Sequence, residues 1–224
     1  MPDNKPAAVF FDLDGTIIDT APDMGGALNR LLIRHERPQV CEQDYRPHVS
    51  HGSIALLKLG FTELQNASKT NPQLLTLRDE FLNEYETHVA AESRLFDGIE
   101  QIFERLETRG IPWGVITNKP EYLTIKLLDE LDITRRCCCI VGADTAARAK
   151  PHPEPMELAC RTTGVTAQAC LYVGDAERDI QAGRAVGMTS LIAGWGYIDP
   201  ITDDTNSWGA HALLSTPAEL NAYF

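Results

Sequence analysis

Residues 10–20 read FFDLDGTIIDT, and the two aspartates one residue apart at the end of an apolar run decide the fold. The run itself, AAVFF from Ala7 to Phe11, is short, continuous and apolar, which is the pattern of a fully buried strand. Asp12 and Asp14 therefore stand at a strand's carboxyl end, with Gly15 and Thr16 in the turn behind them. In an open parallel sheet that end is where ligands bind. Negative charge gathered there points to a site.

Outward from this stretch the chain divides. A helix is predicted from about Pro22 to His35, with Met24, Leu28, Leu31 and Leu32 at helical spacing. Residues 40–93 read as polar-amphipathic helix, with loops at RPHVSHGS and KTNPQ and no convincing strand. From Phe96 a strand and helix cycle begins. A helix over IEQIFERLETRG precedes the apolar run IPWGVIT, and a helix around Tyr122 to Leu131 precedes CCIVG. A helix from Pro155 to Thr163, the strand ACLYV, a helix from Arg178 to Val186 and the strand TSLIA follow. HALLS and PAELNAYF add an edge strand and a terminal helix. This alternation predicts the α/β class, with a Rossmann-like doubly wound parallel sheet as core and an inserted helical cap domain. The expected boundaries are 1–16 with 94–224 for the core and 17–93 for the cap.

With 224 residues and 43% hydrophobic content the chain can bury a sizeable core. Its 32 acidic against 20 basic residues give a net charge of -12, which argues against a nucleic-acid or anionic-membrane surface. An anionic substrate must then be drawn in by a local site. No apolar run approaches a membrane span, and the start MPDNKPAA lacks the regions of a secretory signal. A cytoplasmic monomer or small homo-oligomer is expected. Of six cysteines, Cys137, Cys138 and Cys139 are consecutive and alternate in direction on an extended chain, so reduced, mostly buried thiols are expected rather than a metal site. His35, His88, His152 and His211 have no partners in sequence and read as surface or packing residues, and Asp19 and Asp23 as turn and cap residues.

Four strand ends carry unusual chemistry: Asp12 and Asp14, then Thr117 and Asn118 after WGVI, Lys150 in ARAKPHPEP, and Asp175 after LYVG. Three carboxylates in one crevice repel unless a cation joins them, and Mg²⁺ prefers oxygen ligands of this kind. Asp12 and Asp175 read as its ligands. Lys150 and the Thr117 hydroxyl can then hold phosphate oxygens. A carboxylate is a competent nucleophile toward phosphorus, which suits Asp12, and a second carboxyl group can serve the leaving oxygen and then water, which suits Asp14.

FDLDGT, ITN, the lysine of AKPHPEP and GDAERD resemble the four motifs of the haloacid dehalogenase superfamily of phosphatases, in the family's order. That resemblance implies an aspartyl-phosphate mechanism with Asp12 as nucleophile and Asp14 as acid/base, whose main-chain carbonyl also binds Mg²⁺. It implies phosphate contacts at Thr117, Asn118 and Lys150, and a metal ligand at Asp175. Asp179, four residues on and placed on the same helical face, is expected as an outer-shell partner that holds a metal-bound water or orients Lys150.

Within the superfamily the chain looks most like the phosphoglycolate phosphatase branch. SRLFDGI, WGVITNKP, KPHPEPMELAC, GWGYIDP and NSWGAHAL resemble a subgroup that includes N-acetylmuramic acid 6-phosphate phosphatase. The implied substrate is a small phosphorylated metabolite, 2-phosphoglycolate first and N-acetylmuramic acid 6-phosphate as the alternative. Phosphomutase action and non-catalytic phosphate binding are the readings from other classes. In the stretch RPHVSHGS, which aligns with the family's specificity loop, Arg46 suits a carboxylate while Ser50, His51 and Gly52 suit a compact pocket. The family has glycines where His48 and His51 stand, so this pocket is expected to be smaller or more polar.

Overall fold

A computed structural model of the chain describes residues 5–224. Residues through Ile18 together with Leu95–Phe224 form one compact unit, and Asp19–Arg94 form a second. The chain crosses between them in two short strands, β2 (Ile18–Asp19) and β3 (Arg94–Leu95), which pair as a two-stranded sheet. Two residues are too few to carry an alternation, so neither strand was visible in the sequence.

The first unit is built on a six-stranded sheet of β1 (Ala8–Phe11), β4 (Trp113–Ile116), β5 (Ile140–Val141), β6 (Cys170–Gly174), β7 (Thr189–Ala193) and β8 (Ala212–Leu214). Its order is β5-β4-β1-β6-β7-β8, and every pair is parallel. The chain builds outward on one side of β1 and returns to build on the other, so the order reverses at β1. A crevice opens at such a reversal, beyond the carboxyl ends of the strands.

Helices α5 (Ile99–Thr108), α6 (Glu121–Glu130), α7 (Glu154–Thr163) and α8 (Glu177–Ala185) connect the strands. Successive residues of β1 serve opposite faces. Ala8 and Phe10 join Met156 and Ala159 of α7 and Ala182 of α8 in one core cluster. Phe11 meets Phe103 of α5 and Trp113 on the other face, where the Phe103 and Trp113 rings stack with centroids 3.8 Å apart. Ile99, Ile102, Phe103 and Leu106 recur at helical spacing and are all buried. The doubly wound core follows from these two apolar faces.

The predicted terminal helix is instead a 3₁₀ run over Pro217–Ala222.

The second unit packs α1 (Ala21–Arg34), α2 (Glu42–Tyr45), α3 (Ser53–Gly60) and α4 (Pro72–Thr87), with a 3₁₀ turn over Arg46–His51. Gly25 lies inside α1 because a Cβ there would sit 2.0 Å from the Tyr45 ring. Asp23 is not a helix cap. Its buried carboxylate accepts from Glu92 N, from Ser93 N at 2.7 Å and from the Ser93 hydroxyl at 2.7 Å, tying the start of α1 to the segment that leaves the unit. His35 pairs with Glu80 at 2.9 Å. No helix among the described residues is long and apolar enough to cross a membrane.

Candidate active site

Register brings the site together. Phe11 is level with Val115 on one side and Val173 on the other, so Asp12, Thr117 and Asp175 emerge from three adjacent strands at nearly one height. Asp12 N donates to Val173 O at 2.8 Å and Thr117 N to Val141 O at 2.8 Å, which extends the ladder to the site itself.

Lys150 lies at the centre. Its fully buried ammonium donates to Ile116 O at 2.7 Å and to the Tyr172 hydroxyl at 2.8 Å, and pairs with Asp12 Oδ1 at 2.9 Å and Asp179 Oδ1 at 2.6 Å. The Asn118 side-chain amide clamps the Lys150 main chain, accepting from its N–H at 2.9 Å and donating to its carbonyl at 2.8 Å. One amide hydrogen of Asn118 is left after that clamp. The residue thus serves Lys150 directly, a role beyond the phosphate contact expected of it. The Thr117 hydroxyl oxygen accepts from Lys119 N at 3.2 Å, which fixes the oxygen and leaves its proton to be donated.

Burial pushes the Asp12 carboxyl up, but the Lys150 ammonium and the Arg178 guanidinium more than reverse this and hold it below the usual carboxylate range. The nucleophile expected from the sequence is thus ionised. Asp179 is pushed the other way, by burial and by the charge of Asp12, against the pull of Lys150 and Arg178. Burial raises Tyr172 well above its ordinary value, so its hydroxyl stays protonated and donates to Ile116 O at 2.9 Å.

Asp12, Asp175 and Asp179 offer carboxylate oxygens that lie within 4.8 Å of one another, all three buried. Asp12 Oδ1 has the Lys150 ammonium as its one charged partner among the described contacts, at 2.9 Å. A buried, oxygen-only donor set fits a hard divalent cation. Asp175 is fixed in place by the Tyr197 N–H at 2.9 Å and the Thr16 hydroxyl at 3.4 Å. Gly15 makes room for it: its φ is +80°, and a Cβ there would stand 2.1 Å from Asp175 Oδ2. Asp179 reaches the group by a different route from the one its spacing implied. Asp175 precedes α8, so the two share no helical face, and Asp179 folds back to accept from Ala176 N at 3.0 Å.

Asp14 points elsewhere. Its carboxylate is partly open and pairs with Lys119 Nζ at 2.8 Å. Lys119, Tyr172 and Arg178 were not singled out in the sequence. Lys119 had a signal, since it follows Thr117 and Asn118 at the same strand end, whereas a tyrosine within a buried strand reads as core.

Of the remaining expected residues, Arg46, Ser50, His51 and Gly52 sit together in the second unit, on the 3₁₀ turn and its end. Arg46 pairs with Asp19 at 2.6 Å and Glu42 at 3.0 Å. The His48 and His51 rings stand 6.2 Å apart. All six cysteines are free thiols, with Cys139, Cys160 and Cys170 buried. His211 is a strand-end acceptor for Ser190 N at 3.0 Å.

The sequence profile described as haloacid dehalogenase-like hydrolase matches residues 9–193. A protein of Xanthomonas campestris pv. campestris named phosphoglycolate phosphatase is 45% identical over 215 residues, covering 96% of this chain and 95% of its own. One of Pseudomonas aeruginosa named N-acetylmuramic acid 6-phosphate phosphatase is 38% identical over 213 residues, covering 95% and 92%. The fold is shared with a crystal structure from Haemophilus somnus 129pt described as a "predicted phosphoglycolate phosphatase", at a TM-score of 0.85, 22% identity and 99% coverage of both chains. With an ionised aspartate at the reversal of a parallel sheet and relatives that span nearly its whole length, the chain belongs to the haloacid dehalogenase-like hydrolases and is a phosphoric monoester hydrolase.

Proposed function

We propose that the chain hydrolyses 2-phosphoglycolate through an aspartyl-phosphate on Asp12, with Mg²⁺ as its metal. The observation that carries the chemistry is the buried Asp12 carboxylate at the sheet's reversal, kept ionised by Lys150 at 2.9 Å and by Arg178. For the substrate, support comes from the name of the Xanthomonas relative.

Asp12, Asp175, the main-chain carbonyl of Asp14 and, through an outer contact, Asp179 would hold Mg²⁺, which would supply the positive charge that lets a phosphate dianion approach carboxylates. Asp12 attacks phosphorus, its oxygen–phosphorus bond forming as the bond to the substrate oxygen breaks. Protonated Asp14 gives its proton to that departing oxygen. Asp14 then takes a proton from water as the water oxygen attacks phosphorus and releases Asp12. The sum is phosphate ester plus water giving alcohol plus inorganic phosphate. Thr117 donates its hydroxyl to a phosphate oxygen, Lys150 offsets the phosphate charge, and Asn118 fixes Lys150 through its main chain. Arg46, Ser50, His51 and Gly52 are assigned to the ranking of substrates by their organic part.

A second reading, N-acetylmuramic acid 6-phosphate as substrate, is favoured by the Pseudomonas relative. Phosphate release from the two compounds side by side separates the readings. The expected result is the higher kcat/KM for 2-phosphoglycolate, with no turnover by Asp12→Asn, whose amide cannot form the acyl-phosphate. The reverse ranking moves the assignment to the second reading. An active Asp12→Asn rejects the mechanism.

A further inference from the structure

We infer that Lys119 is a positioning residue that sets the carboxylate of Asp14 for both of its proton transfers. The inference rests on the acid/base role proposed for Asp14.

The side chain of Lys119 is only 4% exposed, and its ammonium lies 2.8 Å from Asp14 Oδ1. Burying an ammonium is costly, and a chain that does so needs a partner of opposite charge in fixed geometry. The main chain around it is fixed on both sides. Lys119 N donates to the Thr117 hydroxyl oxygen at 3.2 Å, and Lys119 O accepts from Ala143 N at 2.9 Å. The ammonium is therefore delivered from a rigid strand end. Asp14, by contrast, sits in the turn between β1 and β2, just before Gly15 with its φ of +80°. A carboxylate on such a turn has staggered alternatives, and a fixed cation within reach selects one.

Two lysines thus divide two aspartates between them. Lys150 meets the nucleophile at 2.9 Å, and Lys119 meets the acid/base at 2.8 Å. In the first step the proton of Asp14 passes to the leaving oxygen as the Asp12–phosphorus bond forms. In the second, Asp14 takes a proton from the attacking water as that bond breaks. Each transfer needs the carboxyl oxygen within hydrogen-bond reach of a different atom, and a misplacement of about 1 Å costs on the order of a hundredfold in rate.

The test compares an alkyl phosphate with p-nitrophenyl phosphate in Lys119→Met, Lys119→Gln and Lys119→Arg. Nitrophenolate leaves without a proton, so Lys119→Met should still phosphorylate Asp12 and then stall. The expected signature is a burst of one nitrophenolate per enzyme followed by steady turnover about a hundredfold slower than wild type. The alkyl substrate should lose a similar factor with no burst, while KM stays within about twofold, because uniform binding is untouched. Lys119→Arg should recover part of the rate. Combining Lys119→Met with Asp14→Asn should add little to Asp14→Asn alone, since both act through one carboxylate.

Full additivity, equal loss on both substrates without a burst, or no loss at all overturns the inference while an active wild type leaves the proposed function standing. Absence of phosphate release by the wild type removes both. Thermal unfolding accompanies each variant: if Lys119→Met and Lys119→Gln both fail to fold, Lys119 belongs to the fold rather than to Asp14, and the inference falls.

Discussion

At the scale of single residues, the site is an arrangement of charges that burial makes strong. Lys150 joins two carboxylates that would otherwise repel, and Asn118 holds Lys150 by its main chain. Gly15 is the point where the least change should do the most harm. Its left-handed conformation costs a side-chain residue about 1–2 kcal/mol. A Cβ would also collide with Asp175 Oδ2, which cannot retreat without leaving the Tyr197 N–H. Gly15→Ala should therefore lower the melting temperature and sharply reduce turnover. An alanine variant with wild-type kinetics would show that Asp175 has no fixed role.

Among the elements, the strand ends divide the work. The three residues after β4 each serve a different target: Thr117 presents a hydroxyl, Asn118 clamps Lys150, and Lys119 meets Asp14. Only the Thr117 target was expected from the ITN motif; the turns of Asn118 to Lys150 and of Lys119 to Asp14 have no local signature, because the sharp turn after a buried strand sends the three side chains apart. In the second unit, Asp23 links α1 to the outgoing chain at Ser93. Asp23→Ala should cost about 3 kcal/mol, because it strands the buried Ser93 N–H and hydroxyl without their acceptor. Asp23→Asn, which keeps one acceptor oxygen, should cost less. Urea denaturation of the two variants measures the difference, and equal midpoints with wild type would remove the tie from the account.

For the molecule as a whole, three buried carboxylates are held together at the expense of mutual repulsion, so the metal that relieves it should stabilise the fold. A hundredfold excess of Mg²⁺ over its Kd should add about 2.7 kcal/mol. The melting temperature should rise with Mg²⁺, return with EDTA, and cease to respond in Asp175→Ala. A wild-type melting temperature indifferent to Mg²⁺ would reject that ion for this site. The α/β alternation, the parallel core and the aspartates at strand ends were legible in the sequence because each rests on local periodicity or on adjacent residues. AAVFF ends at Asp12 whatever the rest of the chain does. The link of Asp179 to Lys150 was expected from the family resemblance, but tertiary structure alone decided that Lys150 also pairs with Asp12, that Asp14 turns to Lys119 instead, that Tyr172 supports the site from within a core strand, and that Asp23 is a tie rather than a cap. These contacts join residues from 22 to 138 positions apart, and a pairing set by the register of separate strands leaves no trace in the spacing of either partner.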